Sequence, residues 1–228
     1  MSRTIKIDNA LTKRFSQNSK QKKKSKEISV YILIVCEGEK TEPNYFKSFP
    51  KNVGKIVYNV QLEGGGINTL KVVEKAIELR DKSPLKYDRV WAVFDRDSFT
   101  SQMFNSAILK AKAHNIECAW SNEAFELWYL LHFKNQNTAM KRSDYKKAIE
   151  EAVNKLCKNN KVTPFIYKKN DPLIYGLLKK YGNQDFAIKN AKKLSKTMDG
   201  EKFANYNPQT MVFKLVEELN GQSKALIN

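Results

Sequence analysis

The chain has 228 residues, 41% of them apolar and 11% aromatic, enough to fill a packed core and to exclude global disorder. Its 41 Lys and Arg against 24 Asp and Glu give a formal net charge of +17, a balance that suits polyanionic partners. The longest apolar run, Val30 to Cys36, falls far short of the ~20 apolar residues of a membrane span, and the Lys-, Gln- and Ser-rich start does not resemble a secretory signal, so a soluble, cytoplasmic protein is expected.

The charge is unevenly divided. Residues 1–27 carry nine basic and two acidic side chains, 28–132 carry thirteen of each, 133–202 carry seventeen and seven, and 203–228 carry two of each. All the excess therefore lies in two segments that flank a neutral one. This division suggests a basic flexible arm (1–27), an α/β unit (28–133) and a basic, mainly helical segment packed on it (134–228).

In chain order, the Lys-, Gln- and Ser-rich start around Lys22-Lys23-Lys24 has no periodic apolar pattern and reads as an arm. Val30-Tyr31-Ile32-Leu33-Ile34-Val35-Cys36 reads as a strand buried on both faces of a parallel sheet. Glu37-Gly38-Glu39-Lys40-Thr41-Glu42-Pro43 turns the chain into a short helix carrying Tyr45, Phe46 and Phe49. Lys55 to Leu62 is the next strand, followed by the Gly64-Gly65-Gly66 loop and a helix over about Asn68–Arg80 that buries Leu70, Val73, Ala76 and Ile77. Asp88 to Asp95 makes a third strand, Ser101–His114 a helix, and Ile116–Trp120 a fourth strand. This alternation predicts an α/β fold with a parallel sheet, right-handed crossovers and helices on both faces.

Beyond Ser121 the pattern is helical. Helices are predicted over Glu123–Phe133, over Ser143–Cys157 behind a Ser143 cap, from Asp171-Pro172 to Tyr181, and over Gln184–Met198. A last one, Pro208–Asn220, has Asn207 as cap and Gly221 beyond its end. Cys36, Cys118 and Cys157 are widely spaced and read as reduced core residues, with no Cys-x-x-Cys pattern for zinc. His114 and His132, isolated in sequence, read as structural or surface residues.

In a parallel sheet, ligands bind along the edge formed by the strands' carboxyl ends. That rule selects Glu37, Glu39 and Glu42 after the first strand, Asp95 and Asp97 after the third, and Asn122, Glu123 and Glu126 after the fourth. Carboxylates gathered at one edge raise one another's pKa unless a positive charge lies between them, and an all-oxygen donor set points to Mg²⁺ or Mn²⁺. Glu37, Asp95 and Asp97 are the candidate metal ligands, with Glu37 open to a role as base or ligand, and phosphodiester chemistry suits such a site. Glu39 and Glu42 are also open to a role at a helix N-terminus, which is the favoured one for Glu42, and Glu126 is open to being either catalytic or a satisfied buried carboxylate. Gly64-Gly65-Gly66 lacks the Lys-Ser/Thr of a P-loop, and Ser98 and Ser121 have no discernible Ser/His/Asp partners.

Ile32-Leu33-Ile34-Val35-Cys36-Glu37-Gly38-Glu39-Lys40-Thr41-Glu42-Pro43-Asn44-Tyr45-Phe46, then Trp91-Ala92-Val93-Phe94-Asp95-Arg96-Asp97, then Ser121-Asn122-Glu123-Ala124-Phe125-Glu126-Leu127-Trp128-Tyr129-Leu130-Leu131-His132-Phe133 resembles the RloB-like family, which includes the abortive-infection protein AbiLii. That family looks like a branch of the Toprim superfamily, whose strand-end Glu and Asp-x-Asp serve Mg²⁺-dependent nucleotidyl transfer or nucleic-acid cleavage. Carried over by position, Glu37 matches the Toprim glutamate, and Asp95 and Asp97 its aspartate pair. The resemblance implies a Toprim-like sheet with a C-terminal helical extension and a role in antiviral defence, often with a separately encoded ABC-type ATPase partner.

The reading these features support is a Mg²⁺-dependent endonuclease acting on tRNA or DNA, with Glu37, Asp95, Asp97 and Glu126 at the catalytic edge. Lys40 beside the acidic edge, and Lys141, Arg142, Lys168, Lys169, Lys192 and Lys193 from the basic flank, are candidate nucleic-acid contacts. Lysines there are interleaved with Tyr145, Phe165, Tyr167, Tyr175, Tyr181 and Phe186, of which four or more are expected in the core. The alternative is a non-catalytic module that binds nucleic acid or docks an ATPase.

Overall fold

A computed structural model describes residues 27–65, 68–97, 99–157 and 164–222. The predicted arm before residue 27, Gly66, Ser98 and the side chain of Cys157 lie outside the described residues.

The elements are β1 (Ile28–Cys36), α1 (Thr41–Lys47), β2 (Asn52–Val53), β3 (Ile56–Gly64), α2 (Thr69–Lys82), β4 (Arg89–Asp95), α3 (Ser101–Ala113) and β5 (Glu117–Asn122). They continue with α4 (Glu126–Leu131), α5 (Arg142–Cys157), α6 (Ile174–Tyr181), α7 (Gln184–Ser195), a 3₁₀ turn at Phe203–Asn205, β6 (Gln209–Thr210) and α8 (Val212–Leu219). The strands form one sheet in the order β2-β3-β1-β4-β5-β6. The α/β fold with a mostly parallel sheet, expected from the alternation of apolar runs, is therefore present: β3, β1, β4 and β5 run parallel, and the two-residue β2 and β6 close the edges antiparallel.

The chain steps from β1 outward to β3 and then back past β1 to β4. With right-handed crossovers, that reversal puts α1 on the opposite face from α2 and α3. It also makes the gap between the carboxyl ends of β1 and β4 the topological switch point, where a crevice opens. Ile32 to Cys36 and Val90 to Phe94 are buried without interruption, as strands covered on both faces require. On the α1 face an aromatic cluster joins distant parts of the chain. Tyr45 packs edge-on against Phe125 at 5.7 Å, Phe125 meets Tyr129 at 5.3 Å, and Trp128 Nε1–H donates to Tyr45 Oη at 2.8 Å.

Several boundaries differ from the sequence reading, each for an identifiable reason. The last helix begins at Val212, not Pro208, because Gln209 and Thr210 are fully buried as β6: they pair with Asn122 and Ser121, and the Met211 N–H donates to the Trp120 carbonyl. Asn207 is thus no helix cap. Ser121 and Asn122 extend β5, and Asn122 Nδ2 donates to the carbonyls of Ala204 and Tyr206, so α4 starts only at Glu126. α5 starts at Arg142, which puts Ser143 inside the helix, its hydroxyl donating to Asp144. α6 starts at Ile174, because the Asp171 carboxylate accepts from the Leu173 N–H in a turn that precedes the helix.

Val72 and Thr69 take buried seats on α2, while Leu70 and Ile77 are only partly covered. Of the six aromatics in the basic segment, Tyr145 and Tyr167 are fully buried, fewer than expected; Phe186 is exposed and the other three are half-covered. Cys36 and Cys118 are free thiols. His132 is buried against the Trp128 ring, with burial pushing its pKa down to about 4 and its Nδ1 2.9 Å from the Trp128 carbonyl oxygen, so it serves as a neutral core group. The segment after residue 133 closes on the sheet through β6 and covers α4 with α5 and α7.

Candidate metal and phosphate site

Two strand ends are pinned together at the switch point. The Glu37 N–H donates to the Val93 carbonyl at 2.8 Å, and the Asp95 N–H donates to Glu37 Oε2 at 2.9 Å. Beyond β4 the chain turns sharply, with Asp97 at φ +40° and its N–H donating to the Glu123 carbonyl at 3.2 Å. Glu37, Glu42, Asp95 and Asp97 thereby line one cleft of about 340 Å³. A larger groove of about 450 Å³, beside Tyr31, Phe49, Tyr58 and Tyr87, lies away from this carboxylate set.

The electrostatics of the cleft are those of crowded acids. Burial is the main cause that raises Glu37 to about 7, helped by Glu42 and Asp97 and opposed by the Asp95 N–H and Arg142. Asp95, 4% exposed, is pushed well above the usual carboxylate range by burial and by Glu42, Glu126 and Glu37. Glu42, 5% exposed, is raised by burial and by Glu126. Asp95 Oδ1 and Glu42 Oε2 are buried with no hydrogen-bond partner. Glu126, 7% exposed, accepts from Tyr167 Oη–H at 3.0 Å.

Arg142 answers this charge. Its Nη1 lies 2.9 Å from Asp97 Oδ2 and its Nη2 lies 3.9 Å from Asp95 Oδ2. Its backbone N–H donates to Glu123 Oε2 at 3.0 Å, which fixes the start of α5 beside the end of β4. Lys40, Lys169 and Asn170 complete the cleft wall. Asn170, at φ +67°, holds the wall to α1: its side chain is 2.5 Å from Thr41 Oγ1, and its carbonyl accepts from Asn44 Nδ2 at 3.2 Å.

Of the residues selected from sequence, Glu37, Asp95, Asp97, Lys40, Arg142 and Lys169 line one cleft. Glu126 lies behind it, near enough to influence both Asp95 and Glu42. Lys141 and Lys168 are exposed neighbours of cleft residues. Lys192 lies elsewhere. It ion-pairs with Glu217 in a groove shared with Arg89 and Glu117, the first residues of β4 and β5, and so sits at the opposite edge of the sheet. Lys193 follows it, exposed, on α7. The alternative role of Glu42 at a helix start is only part of its placement: it is in the first turn of α1, yet its Oε2 is turned into a buried, unpartnered position. Tyr167 and Asn170 carried no sequence signal for this site.

Oxygen donors alone, two of them buried and unpartnered, match a hard divalent cation, which Glu37, Asp95 and Asp97 would hold with Glu42 beside them. Among the described residues no three His, Cys, Asp or Glu side chains are gathered tightly enough to hold an ion as they stand. The guanidinium of Arg142 is the cation paired with the two aspartates. Also among the described residues, no helix is long and apolar enough to cross a membrane.

No curated protein and no solved structure matches the chain. Residues 32–219 match the family described as RloB-like protein, a span that takes in the carboxyl-terminal part of β1, the Asp95-x-Asp97 turn, the cleft wall and α8. The chain therefore belongs to the RloB-like family.

Proposed function

We propose that the protein is a divalent-metal-dependent nuclease of Toprim type that cleaves phosphodiesters in tRNA or DNA, in the setting of antiviral defence. The observation that carries this reading is the pair of buried, unpartnered carboxylate oxygens on Asp95 and Glu42 at the switch point of a parallel sheet. Such atoms are costly to leave unsatisfied, and a cation satisfies them. Bound there, Mg²⁺ or Mn²⁺ would supply positive charge to the oxygens of a phosphodiester. Beside a bound ion, Glu37 would serve either as a further ligand or as the base that takes a proton from an attacking water, and Lys40 and Lys169 draw the polyanion to the cleft rim.

The test is incubation with Mg²⁺ and labelled tRNA, single-stranded DNA and duplex DNA, beside Glu37→Gln and Asp95→Asn. Cleavage of one substrate by the wild type alone supports the reading. Equal cleavage by all three proteins would overturn the site assignment.

A second reading, a non-catalytic module that binds nucleic acid or docks an ATPase, is favoured by the Arg142–Asp97 ion pair, which already neutralises part of the acidic edge. Millimolar Mg²⁺ that leaves the melting temperature of the wild type unchanged would select this second reading.

A further inference from the structure

Arg142 occupies an unusual position for a residue of a basic, polyanion-facing segment: its guanidinium turns inward, onto Asp97 Oδ2 at 2.9 Å and toward Asp95 Oδ2 at 3.9 Å. Its backbone is anchored independently by the N–H bond to Glu123. The stem can therefore swing while the start of α5 stays in place. The side chain is about a third exposed, so the swing leads toward the open cleft and not into the core.

We infer that Arg142 is a placeholder cation which a divalent metal displaces from Asp95 and Asp97 and which, once displaced, grips the substrate phosphate. This rests on the proposed metal-dependent reading of the same cleft. A metal ion and a guanidinium are both positive and claim the same two aspartates: Arg142 sits on the Oδ2 of each, so an ion that joins Asp95 Oδ1 to Asp97 Oδ2 requires the guanidinium to leave. The planar fork released by the exchange matches two phosphate oxygens, which a lysine at this position would not reproduce. Order of binding follows: metal first frees the group that then holds the phosphate. Without metal, the cleft keeps its phosphate ligand locked on its own carboxylates, and the protein has low affinity for nucleic acid at this point.

The experiment uses the full chain, Mn²⁺ as the metal probe and a cleavage-resistant phosphorothioate DNA oligonucleotide as the phosphate probe. Mn²⁺ affinity is read by titration calorimetry in wild type, Arg142→Ala and Asp95→Asn. Loss of the competing guanidinium should tighten Mn²⁺ binding by about tenfold in Arg142→Ala, the scale of one charge-assisted hydrogen bond. Oligonucleotide affinity, read by fluorescence anisotropy, should be alike for wild type and Arg142→Ala in chelator and about tenfold weaker for Arg142→Ala in Mn²⁺. Arg142→Gln keeps the first part of the stem and a polar end without the charge, and carries the same test should the alanine variant not fold.

Mn²⁺ affinity that is unchanged or weaker in Arg142→Ala, while Asp95→Asn abolishes it, overturns the exchange and leaves the metal site standing. An oligonucleotide defect equal in chelator and in Mn²⁺ does the same. Absence of Mn²⁺ binding in wild type and Arg142→Ala alike overturns the metal reading itself, and the exchange with it.

Discussion

Glu37 and Asp95 share a hydrogen bond across the switch point, the backbone N–H of one held by the carboxylate of the other at 2.9 Å. The bond fixes one oxygen of Glu37 and leaves the rest of the acidic set to be balanced by Arg142.

Glu37 makes folding stability depend on pH. Its carboxyl is raised from 4.5 to about 7, chiefly by burial, so the folded protein binds a proton that the unfolded chain releases. The stabilising share of the protonated form is complete below the unfolded value and is lost as pH rises through about 7. Glu37→Gln removes this dependence. In urea melts with chelator, the variant should exceed wild type by about 1–3 kcal/mol near pH 8 and converge with it near pH 5. Curves that stay parallel at both values would remove Glu37 as the titrating group.

Asp95→Asn should separate stability from metal response. Replacing a buried carboxylate crowded by Glu42, Glu126 and Glu37 relieves repulsion, so the metal-free protein should melt higher than wild type. Millimolar Mn²⁺ should stabilise wild type by about 1–3 kcal/mol and the variant by nothing. Differential scanning fluorimetry with and without Mn²⁺ reads both effects.

Tyr167→Phe deletes the hydroxyl that donates to buried Glu126 at 3.0 Å. The carboxylate is left short of a partner, and equilibrium denaturation at neutral pH should show a loss of about 1–3 kcal/mol. A loss of a few tenths would mean that Glu126 finds another donor.

Gly64→Ala tests how closely the edge is built. A Cβ there would stand 2.8 Å from the Gly38 carbonyl oxygen, 3.0 Å from Pro43 Cγ and 3.2 Å from the Glu39 Cα. Two of these are backbone atoms of the loop that carries Glu37, so that loop must shift. A cost of about 1–3 kcal/mol is expected, with weaker Mn²⁺ binding by calorimetry.

Lys169 and Lys192 should behave differently despite equal charge. Lys169 lines the cleft, whereas Lys192 is paired with Glu217 at the far edge of the sheet. Lys169→Ala should weaken oligonucleotide binding and reduce its salt slope by about one, with Lys192→Ala indistinguishable from wild type. Equal losses would spread the binding surface over both edges.

The four parallel strands were legible because each is an apolar run bounded by turn residues, and the carboxylates of the site were legible because the strand-end rule picks them out. What escaped the pattern depends on partners far along the chain. Gln209 and Thr210 are polar and fully buried, their backbones paired with β5 and the Thr210 hydroxyl with that of Ser121, a solution that hydropathy cannot express. Arg142 reads as one more positive charge among many until α5 is seen to start beside Asp97. The unpartnered oxygen of Glu42 is equally invisible, since the same residue in the same helix turn serves an ordinary capping role elsewhere.

Asn170 ties the cleft wall to Thr41 and Asn44 across more than a hundred residues of chain. During synthesis the acidic strand ends therefore emerge long before Arg142 and Lys169, and the wall can close only after Asn170 has left the ribosome.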